Sequence, residues 1–391
     1  MKEAAFTNVA RLRELLARSS FDAVVASSVE NVAYCSGYRG PDLSALKERQ
    51  YFAVWTANGE PAWVAPSYRD ASATFCEDVR HYDFYAREPP SERDTAGYAR
   101  LDRSPVPALV DSLRDRGLAR GRIGVEFKEM RPEHFLQLGR MLPHATFTDC
   151  SIFFEVVRMV KTPAEIDLLT RASSAVARAA VATFESARPG EPIKQLTDRL
   201  GYLTAHLGAR QLRHVEMEVY RDGTRMSVFD SAPCALRLSP GDVLRLDFFG
   251  WFDLYLADMA RMAVVGRADR AVEDIYRRLY MEVHLPLIQA TTGRQIGAQW
   301  FSTASRLFTA AVGKVPWGMI AHGIGLGAHE RPWCHPLEEF VLEPGMALSV
   351  ESSFHSEGPM YHIEDFVVID PKGQPSCITG DVGSAAPVRI W

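Results

Sequence analysis

Acidic residues placed within apolar, strand-like segments are the feature that most restricts how this chain can fold. Four carboxylates stand inside such segments or at their ends: Asp247, Asp258, Glu351 and Glu364. A carboxylate that is buried without a cation partner is costly in free energy. Each position alone is weak evidence, because isolated acids at strand ends are usually exposed and aspartates are common in hairpins. Adjacent strands can, however, bring Asp247 and Asp258 side by side, where one carboxylate could bridge two cations.

A glycine-rich segment with a histidine at each end adds a second type of metal donor. His322 and His329 enclose three glycines, which let the backbone approach a ligand closely while the two imidazoles converge. The alternative is a glycine-rich loop with two solvated histidines. Together with the four carboxylates, however, His322 completes a donor set that suits Mn, Co, Fe or Zn. The sequence therefore predicts a divalent metal site in the C-terminal half of the chain.

The composition is that of a globular protein, and it argues against several classes of function. The chain has 391 residues, of which 47% are hydrophobic and 24% charged, and this length suggests about two domains. The formal net charge of −5 argues against nucleic-acid binding, which usually requires a basic surplus. No apolar run reaches the roughly 18 to 20 residues that cross a bilayer, and the first residues lack the apolar core of a signal peptide. We therefore expect a cytoplasmic protein without membrane partners.

A change of pattern near residue 158 predicts two domains. Residues 1–157 alternate helical and strand-like segments, including a hairpin that turns at Asn58-Gly59, and are typical of a small α/β domain. Residues 158–391 begin with a capping box at Thr162, which predicts the start of a long helix. A second helix follows, and the remainder is mainly strands. This order predicts an α+β catalytic domain behind a smaller N-terminal domain.

The order and surroundings of the metal donors resemble one known family. An aspartate, a second aspartate eleven residues later, the segment His-Gly-Ile-Gly with another histidine following, and two glutamates resemble the pita-bread metallopeptidases. That family includes methionine aminopeptidases, prolidases, aminopeptidase P and the metal-free creatinases. Residues 22–25 and 31–38 resemble the N-terminal domain of creatinase and prolidase, and residues 158–166 resemble their junction segment. The resemblance covers nearly the whole chain and implies a pita-bread catalytic domain preceded by a creatinase-like N-terminal domain.

The resemblance also implies a role for each donor. By position, the five metal ligands of the family correspond to Asp247, Asp258, His322, Glu351 and Glu364. His329 corresponds to a catalytic histidine that steadies the substrate carbonyl. The implied reaction is hydrolysis assisted by two divalent ions, with Glu351 moving a proton from water to the leaving nitrogen. Creatinases replace the aspartates, so the presence of both favours a metalloenzyme. Relatives with this N-terminal domain are commonly homodimers, and we expect the same here.

Several positions near the predicted site depart from the peptide-cleaving members of the family. Asp230 stands where those enzymes carry a histidine that contacts the substrate, and Ser352 replaces a common proline. His362 occupies the place of a common arginine, and His214 is a further candidate for the substrate pocket. Each could instead be a structural or loop residue. We predict that Asp230, His214 and His362 bind a small-molecule or short-peptide substrate that is not a standard proline dipeptide.

Three functions are compatible with this pattern. The first is metal-dependent hydrolysis of an amide or related C–N bond, as in Xaa-Pro dipeptidases or small-molecule amidohydrolases such as ectoine hydrolases. The second is a metal-dependent lyase similar to the dimethylsulfoniopropionate lyases, although their Asp-x-Asp motif is absent because position 249 is Phe249. The third is a non-catalytic pita-bread binding protein, a class that usually has lost ligands. Because donor residues occupy all five ligand positions, we favour the hydrolase.

Overall fold

The chain forms two units, each with its own dense set of internal contacts. The computed structural model describes residues 4–46, 48–85, 103–226, 236–267, 269–316, 320–380 and 385–391, together with the backbone of Val228–Phe229. The first unit is Met1–Arg158 and the second is Met159–Trp391. The division therefore falls close to the change of pattern in the sequence.

The N-terminal unit is built on a mixed six-stranded sheet. Its strands are β1 (Ala23–Ala26), β2 (Phe52–Trp55), β3 (Ala62–Pro66), β4 (Asp78–Tyr82), β5 (Arg122–Val125) and β6 (Thr146–Asp149), and its helices are α1 (Val9–Arg18), α2 (Val29–Ser36), α3 (Asp42–Ala45), α4 (Val106–Asp115), α5 (Pro132–Met141) and α6 (Ser151–Met159). The strands lie in the order β4-β3-β2-β1-β5-β6. The hairpin predicted at Asn58-Gly59 is confirmed, because β2 and β3 are antiparallel with Phe52 opposite Val64.

The centre of this sheet is apolar on both faces. Every residue of β1, β2 and β3 is buried, which explains why these strands are short continuous apolar runs without alternation. One face packs against α4, whose residues Val106, Leu109, Val110 and Leu113 are inaccessible to solvent. The result is a self-contained α/β core.

The C-terminal unit begins with two helices and continues with strands and further helices. The helices are α7 (Pro163–Glu185), α8 (Ile193–His206), α9 (Arg270–Arg278), α10 (Leu285–Ala290) and α11 (Gly297–Val312), with a π-helical turn at Leu279–His284. The capping box predicted at Thr162 is confirmed. Its side chain accepts a hydrogen bond from the Glu165 backbone N–H, and the Glu165 carboxylate accepts one from the Thr162 N–H. This cap fixes the start of α7, which packs against β11.

Two sheets carry the remainder of the C-terminal unit. The strands are β7 (Gln211–Arg221), β8 (Thr224–Arg225), β9 (Val228–Phe229), β10 (Val243–Phe252), β11 (Tyr255–Val265), β12 (Ala321–Gly323), β13 (Glu330–Trp333), β14 (Ala347–His355), β15 (Met360–Ile369), β16 (Pro375–Cys377) and β17 (Val388–Ile390). One sheet has the order β17-β11-β10-β7-β8, with β9 also paired to β7, and the other has the order β13-β12-β14-β15-β16. Strands β11 and β15 bring the two sheets into contact. Helices followed by largely antiparallel sheets are the predicted α+β arrangement.

In the part of the chain that the structure describes, no helix is both long enough and apolar enough to span a membrane.

Candidate metal centre

The first two predicted ligands lie on neighbouring strands of one sheet. In the antiparallel pairing of β10 and β11, Asp247 is opposite Ala260 and Phe249 is opposite Asp258. The two aspartates are therefore two positions out of register, and this spacing places both side chains on the same face of the sheet. Asp258 is buried, and only a small part of the Asp247 side chain is exposed. A ten-residue antiparallel ladder thus fixes the separation of these carboxylates.

The two predicted glutamate ligands are a direct cross-strand pair in the other sheet. Glu351 on β14 lies opposite Glu364 on β15, so the two side chains project from the same face. The Glu364 carboxylate accepts a hydrogen bond from the Ser349 hydroxyl through Oε1. Two like charges directly opposite one another destabilise a sheet. Their placement therefore needs a compensating positive charge.

The fifth predicted ligand, His322, faces these carboxylates from β12. Its ring is fully buried, and its Nδ1 lies 2.8 Å from the carbonyl oxygen of Gly323. Since a carbonyl only accepts, Nδ1 carries the hydrogen and Nε2 presents a lone pair. That Nε2 is 3.9 Å from Oδ2 of Asp258 and 3.7 Å from Oε1 of Glu351. The imidazole is thus held in the form that ligates metal.

The donor atoms converge on a common region. One group of potential ligand atoms comes from Asp247, Asp258 and Glu364, and another from Asp258, His322 and His329, with the atoms of each group within 4.8 Å of one another. Oδ1 of Asp258, Oε2 of Glu364 and Nε2 of His322 are buried and have no hydrogen-bond partner among the described residues. Unpaired buried acceptors of this kind are costly. Divalent metal binding would satisfy them, so the donor set fits the metal that the sequence predicts.

The electrostatics of the cluster follow from its burial and its shared charge. Burial raises the pKa of Asp258 well above its usual value, and the charges of Glu364 and Asp247 raise it further. Burial likewise raises the pKa of Glu364, with added repulsion from Glu351 and Asp247. The pKa of His322 falls to about 4, chiefly because burial disfavours its charged form. A neutral imidazole among carboxylates is the protonation state required for metal binding.

His329 lies at the exposed side of the same cluster. Its ring is edge-to-face with that of His322, with centroids 4.6 Å apart, and burial lowers its pKa. The rings of Phe249 and Trp333 are 5.9 Å and 6.4 Å away. The predicted convergence of the two histidines of the glycine-rich segment is confirmed by this contact. A neutral His329 can donate a hydrogen bond to a group that approaches from solvent.

The glycine-rich segment is shaped by its contacts with the following strand. A side chain at Gly323 would meet the Arg331 carbonyl oxygen at 2.2 Å, so only glycine allows this approach of backbone to backbone. Glu330 is buried, accepts a hydrogen bond from the Gly327 N–H at 2.8 Å, and lies 3.2 Å from Nζ of the buried Lys161. Neither Lys161 nor Glu330 was predicted from the sequence to contact this segment. A signal was available, because both are charged residues next to apolar segments.

The predicted substrate residues have three different placements. His214 is on β7 at a bulge, with φ +47°, and its ring stacks on Phe249 with centroids 5.5 Å apart. Its Nε2 lies 3.1 Å from Oε1 of Glu216, and just over half of the side chain is exposed. Asp230 lies outside the described residues. The structure therefore places His214 beside the ring of Phe249.

His362 is buried, and both of its ring nitrogens contact protein groups. Nε2 is 3.0 Å from Oε2 of Glu351, and Nδ1 is 3.0 Å from Nη2 of Arg245. Its pKa falls to about 4, with burial as the largest cause. Substrate binding by His362 stays a prediction. The contacts themselves link it to the predicted ligand Glu351.

Arg245 and two acids on β7 were missed by the sequence analysis. The guanidinium of Arg245 donates hydrogen bonds to the carboxylates of Asp247 and Glu216, and it lies 3.7 Å from Glu218. In pairing with β10, Glu216 is opposite Asp247 and Glu218 is opposite Arg245. The sequence does show charged residues two positions apart on each of the two strands, a pattern that indicates a charged face. Which of these residues lie opposite one another can be read only from the register of β7 against β10.

A further buried network lies next to the predicted ligands. Asp365, which follows Glu364, contacts Arg261 Nη2 at 2.6 Å and His284 Nε2 at 2.9 Å. His284 in turn lies 3.1 Å from the Ser352 hydroxyl through Nδ1. Although burial acts to raise it, the pKa of Asp365 is held well below its usual range by Arg261 and His284. Ser352 thus replaces the expected proline with a hydrogen-bonding partner for His284.

Two largely antiparallel sheets that meet with carboxylates and a histidine at one point define a metalloenzyme of the pita-bread type. Family models make the assignment specific. Residues 167–371 match metallopeptidase family M24, and residues 8–160 match the creatinase/prolidase N-terminal domain. The chain belongs to metallopeptidase family M24. The family predicted from the resemblance is confirmed.

Relatives of similar length share both domains. An Xaa-Pro dipeptidase from Lactobacillus helveticus is 24% identical over 94% of this chain and 95% of that protein. A solved Xaa-Pro dipeptidase from Bacillus anthracis has a TM-score of 0.80 at 18% identity, covering 98% of this chain and 99% of that one. A solved X-Pro aminopeptidase from Thermotoga maritima has a TM-score of 0.76 at 19% identity, covering 97% and 100%. These structures confirm the predicted fold class, and the family places the chain among metallohydrolases that use divalent metals.

Proposed function

We propose that the chain is a dinuclear metallohydrolase that cleaves an amide or related C–N bond. Two divalent ions would be held by Asp247, Asp258, His322, Glu351 and Glu364. The identity of the metal among Mn, Co, Fe and Zn stays a prediction, as do the homodimer and the cytoplasmic location. Family membership supports hydrolysis in general, and the donor set supports the metal requirement.

One observation carries the proposal. Three buried donor atoms, from Asp258, Glu364 and His322, have no hydrogen-bond partner in the described part of the chain and lie around one region. A purely structural acid cluster would be paired with arginine or lysine, as Asp365 is with Arg261. Carboxylate oxygens and an imidazole nitrogen that lie together without hydrogen-bond partners favour the binding of metal cations from solution.

The protein residues supply positioning and proton transfer. When bound, divalent ions in such a site lower the pKa of a water molecule and polarise the carbonyl group under attack. Glu351 is held through Oε2 by His362 while Oε1 lies toward His322. Glu351 is therefore placed to accept a proton from the attacking water and to deliver it to the leaving nitrogen. His329, neutral and at the exposed side, would donate a hydrogen bond to the substrate carbonyl.

We also propose a small-molecule or short-peptide substrate with a flat or apolar part. The rings of His214, Phe249, His329 and Trp333 form a continuous row from the protein surface to the metal ligands. Ring faces of this kind bind apolar or planar groups, while a few polar atoms fix orientation. His214 is exposed and lies at one end of the row, so we keep for it the substrate role predicted from the sequence. An Xaa-Pro dipeptide remains a candidate, since the L. helveticus relative is named as a dipeptidase.

The test combines metal analysis with a substrate panel. Protein treated with chelator and reloaded with Mn²⁺, Co²⁺ or Zn²⁺ would be assayed on Xaa-Pro dipeptides, N-acyl amino acids and sulfonium propionates. We expect two ions per chain, hydrolysis of at least one amide, and a loss of about 100-fold or more in Asp258→Asn. Asp242→Asn is the matched control, because Asp242 is equally buried but pairs with Arg221. Full turnover by Asp258→Asn, no metal binding, or elimination products alone would overturn the proposal.

A further inference from the structure

Arg245 connects two of the predicted metal ligands that lie in different sheets. It stands two residues before Asp247 on β10, so both side chains share a face. Its side chain is almost fully buried and donates to Oδ2 of Asp247. The same guanidinium lies 3.2 Å and 3.0 Å from Nδ1 of His362 through Nε and Nη2. His362 in turn contacts Glu351.

The donors and acceptors in the series Arg245–His362–Glu351 can be assigned from the side-chain types. A guanidinium has five N–H donors, no acceptor, and does not lose its proton in proteins. Nδ1 of His362 must therefore accept, which leaves the ring hydrogen on Nε2. That Nε2 lies 3.0 Å from Oε2 of Glu351, and it is consequently the donor to this carboxylate. One tautomer of His362, neutral with hydrogen on Nε2, satisfies both contacts.

The guanidinium is itself held on its other side. Nη1 of Arg245 donates to Oε2 of Glu216 at 2.9 Å, and Glu218 lies 3.7 Å away. Both acids stand on β7, directly opposite Asp247 and Arg245. Glu218 also accepts a hydrogen bond from the Tyr220 hydroxyl at 2.8 Å. Arg245 is thus held between strand β7 and the predicted ligands, and its N–H groups point at Glu216, Asp247 and His362.

We propose that Arg245 is a positioning residue that selects the Nε2–H tautomer of His362 and thereby ties Oε2 of Glu351 to the protein. Only Oε1 of Glu351, which lies 3.7 Å from Nε2 of His322, then faces the metal region. The same guanidinium holds Oδ2 of Asp247, so one cation orients a ligand in each sheet. The catalytic role of Arg245 rests on the proposed hydrolysis. The tautomer of His362 does not depend on that function.

The tautomer can be measured without any substrate. Full-length protein labelled with ¹⁵N-histidine would be studied by long-range ¹H–¹⁵N correlation, both metal-free and loaded with diamagnetic Zn²⁺. The signal of His362 is identified as the one missing from His362→Gln. We expect the neutral Nε2–H pattern in both samples, because Arg245 does not depend on metal for its contacts. A neutral Nδ1–H pattern or a doubly protonated ring in the native protein would refute the proposal.

Variants of Arg245 separate positioning from folding. Arg245→Met removes the donor and should give a mixture of His362 tautomers. Arg245→Lys keeps the charge but lacks the planar set of N–H donors, so it should favour the Nε2–H tautomer more than Arg245→Met does and less than the native arginine. Arg221→Met is the matched control: it removes an arginine that pairs with a buried carboxylate of the same sheet but does not contact His362. If Arg245→Met fails to fold, the His362 tautomer in Arg245→Lys and in the native protein still tests the proposal. If Arg245→Met folds and its His362 tautomer is unchanged, the proposal is overturned.

Kinetics then test the catalytic part with any substrate that the panel identifies. His362→Phe and Arg245→Lys should lower kcat by about 10- to 100-fold, the range for partners of metal-ligating groups, with a smaller change in KM. His362→Gln, which keeps an N–H donor, should recover part of this loss. A native Nε2–H tautomer with no effect of His362→Phe on kcat would overturn the catalytic role alone. If no substrate is found, the proposed function fails while the tautomer result stands.

Discussion

At the scale of single residues, buried carboxylates that face one another lower the stability of the fold when no cation is bound. Glu364 is almost fully buried, and burial together with Glu351 and Asp247 raises its pKa. Glu364→Gln removes one of these charges at nearly constant shape. We therefore expect the chelated variant to unfold at a higher denaturant concentration than the chelated native protein, because less like charge is buried. The metal-loaded variant should be less stable than loaded native protein, because a 100-fold loss of affinity is worth about 2.8 kcal/mol.

A second buried glutamate provides the control for this experiment. Glu338 is also buried, but it pairs with Arg331 through two contacts of 2.9 Å. Glu338→Gln should therefore lower stability with and without metal. Denaturant unfolding of the native protein and the two variants, each with and without metal, decides the matter: the idea fails if Glu364→Gln destabilises the chelated protein as Glu338→Gln does.

The sequence pointed to the predicted ligands more readily than to the residues that contact them. Asp247, Asp258 and His322 could be found because acids in apolar strands and histidines beside glycines are local patterns. Arg245 could not be found in this way, since its partner His362 is 117 residues distant and reaches it through the packing of two sheets. Likewise, the bulge at His214 is a matter of pairing between β7 and β10, which no local pattern specifies.

At the scale of elements, the glycine-rich segment depends on one buried ion pair. The side chains of Lys161 and Glu330 are 1% and 3% exposed, and Glu330 also holds the Gly327 N–H. Lys161→Met leaves the buried carboxylate without this cation, which typically costs about 3 to 5 kcal/mol. We expect lower stability and faster hydrogen exchange of residues 322–333.

An exposed ion pair serves as the comparison. Lys194 and Asp198 are paired at 2.5 Å on α8, with side chains that are 53% and 61% exposed. Lys194→Met should change stability by less than about 0.5 kcal/mol, because solvent screens such pairs. Equal effects of the two lysine variants, or unchanged exchange over 322–333 in Lys161→Met, would show that the pair does not organise the segment.

Elements with strong local signals were predicted, and weakly marked ones were not. The capping box of α7 and the hairpin of β2 and β3 are confirmed because their caps and turn residues act within a few positions. Helix α5 and strand β6 received no prediction. β6 has no fully buried residue, so the alternation that marks a half-buried strand is missing. Tertiary pairing with β5 makes it a strand.

At the scale of the whole molecule, the cluster of predicted ligands should give the chelated protein a characteristic pH dependence. The pKa values of Asp247, Asp258, Glu351 and Glu364 are all raised, with burial as the largest cause. The folded state therefore keeps protons that the unfolded chain has already released above about pH 4. Stability falls as pH rises through this window. His322 and His362 act in the opposite sense, because their folded pKa values of about 4 lie below the unfolded value.

The two effects separate on the pH axis. Between about pH 4 and 6.5 the histidines oppose the carboxylates, since the unfolded imidazoles bind protons that the folded ones do not. Above about pH 6.5 the imidazoles are neutral in both states, and below about pH 8 cysteine thiols remain largely protonated. From about pH 4 to 8, the chelated native protein should lose more stability, or gain less, with rising pH than Glu364→Gln, because both proteins have the same histidines and only the native one carries the raised pKa of Glu364. Bound metal keeps the ligands ionised and should flatten or reverse the slope. Denaturant unfolding of both proteins at several pH values tests this; equal slopes would show that burial does not raise the pKa of Glu364 in the folded protein.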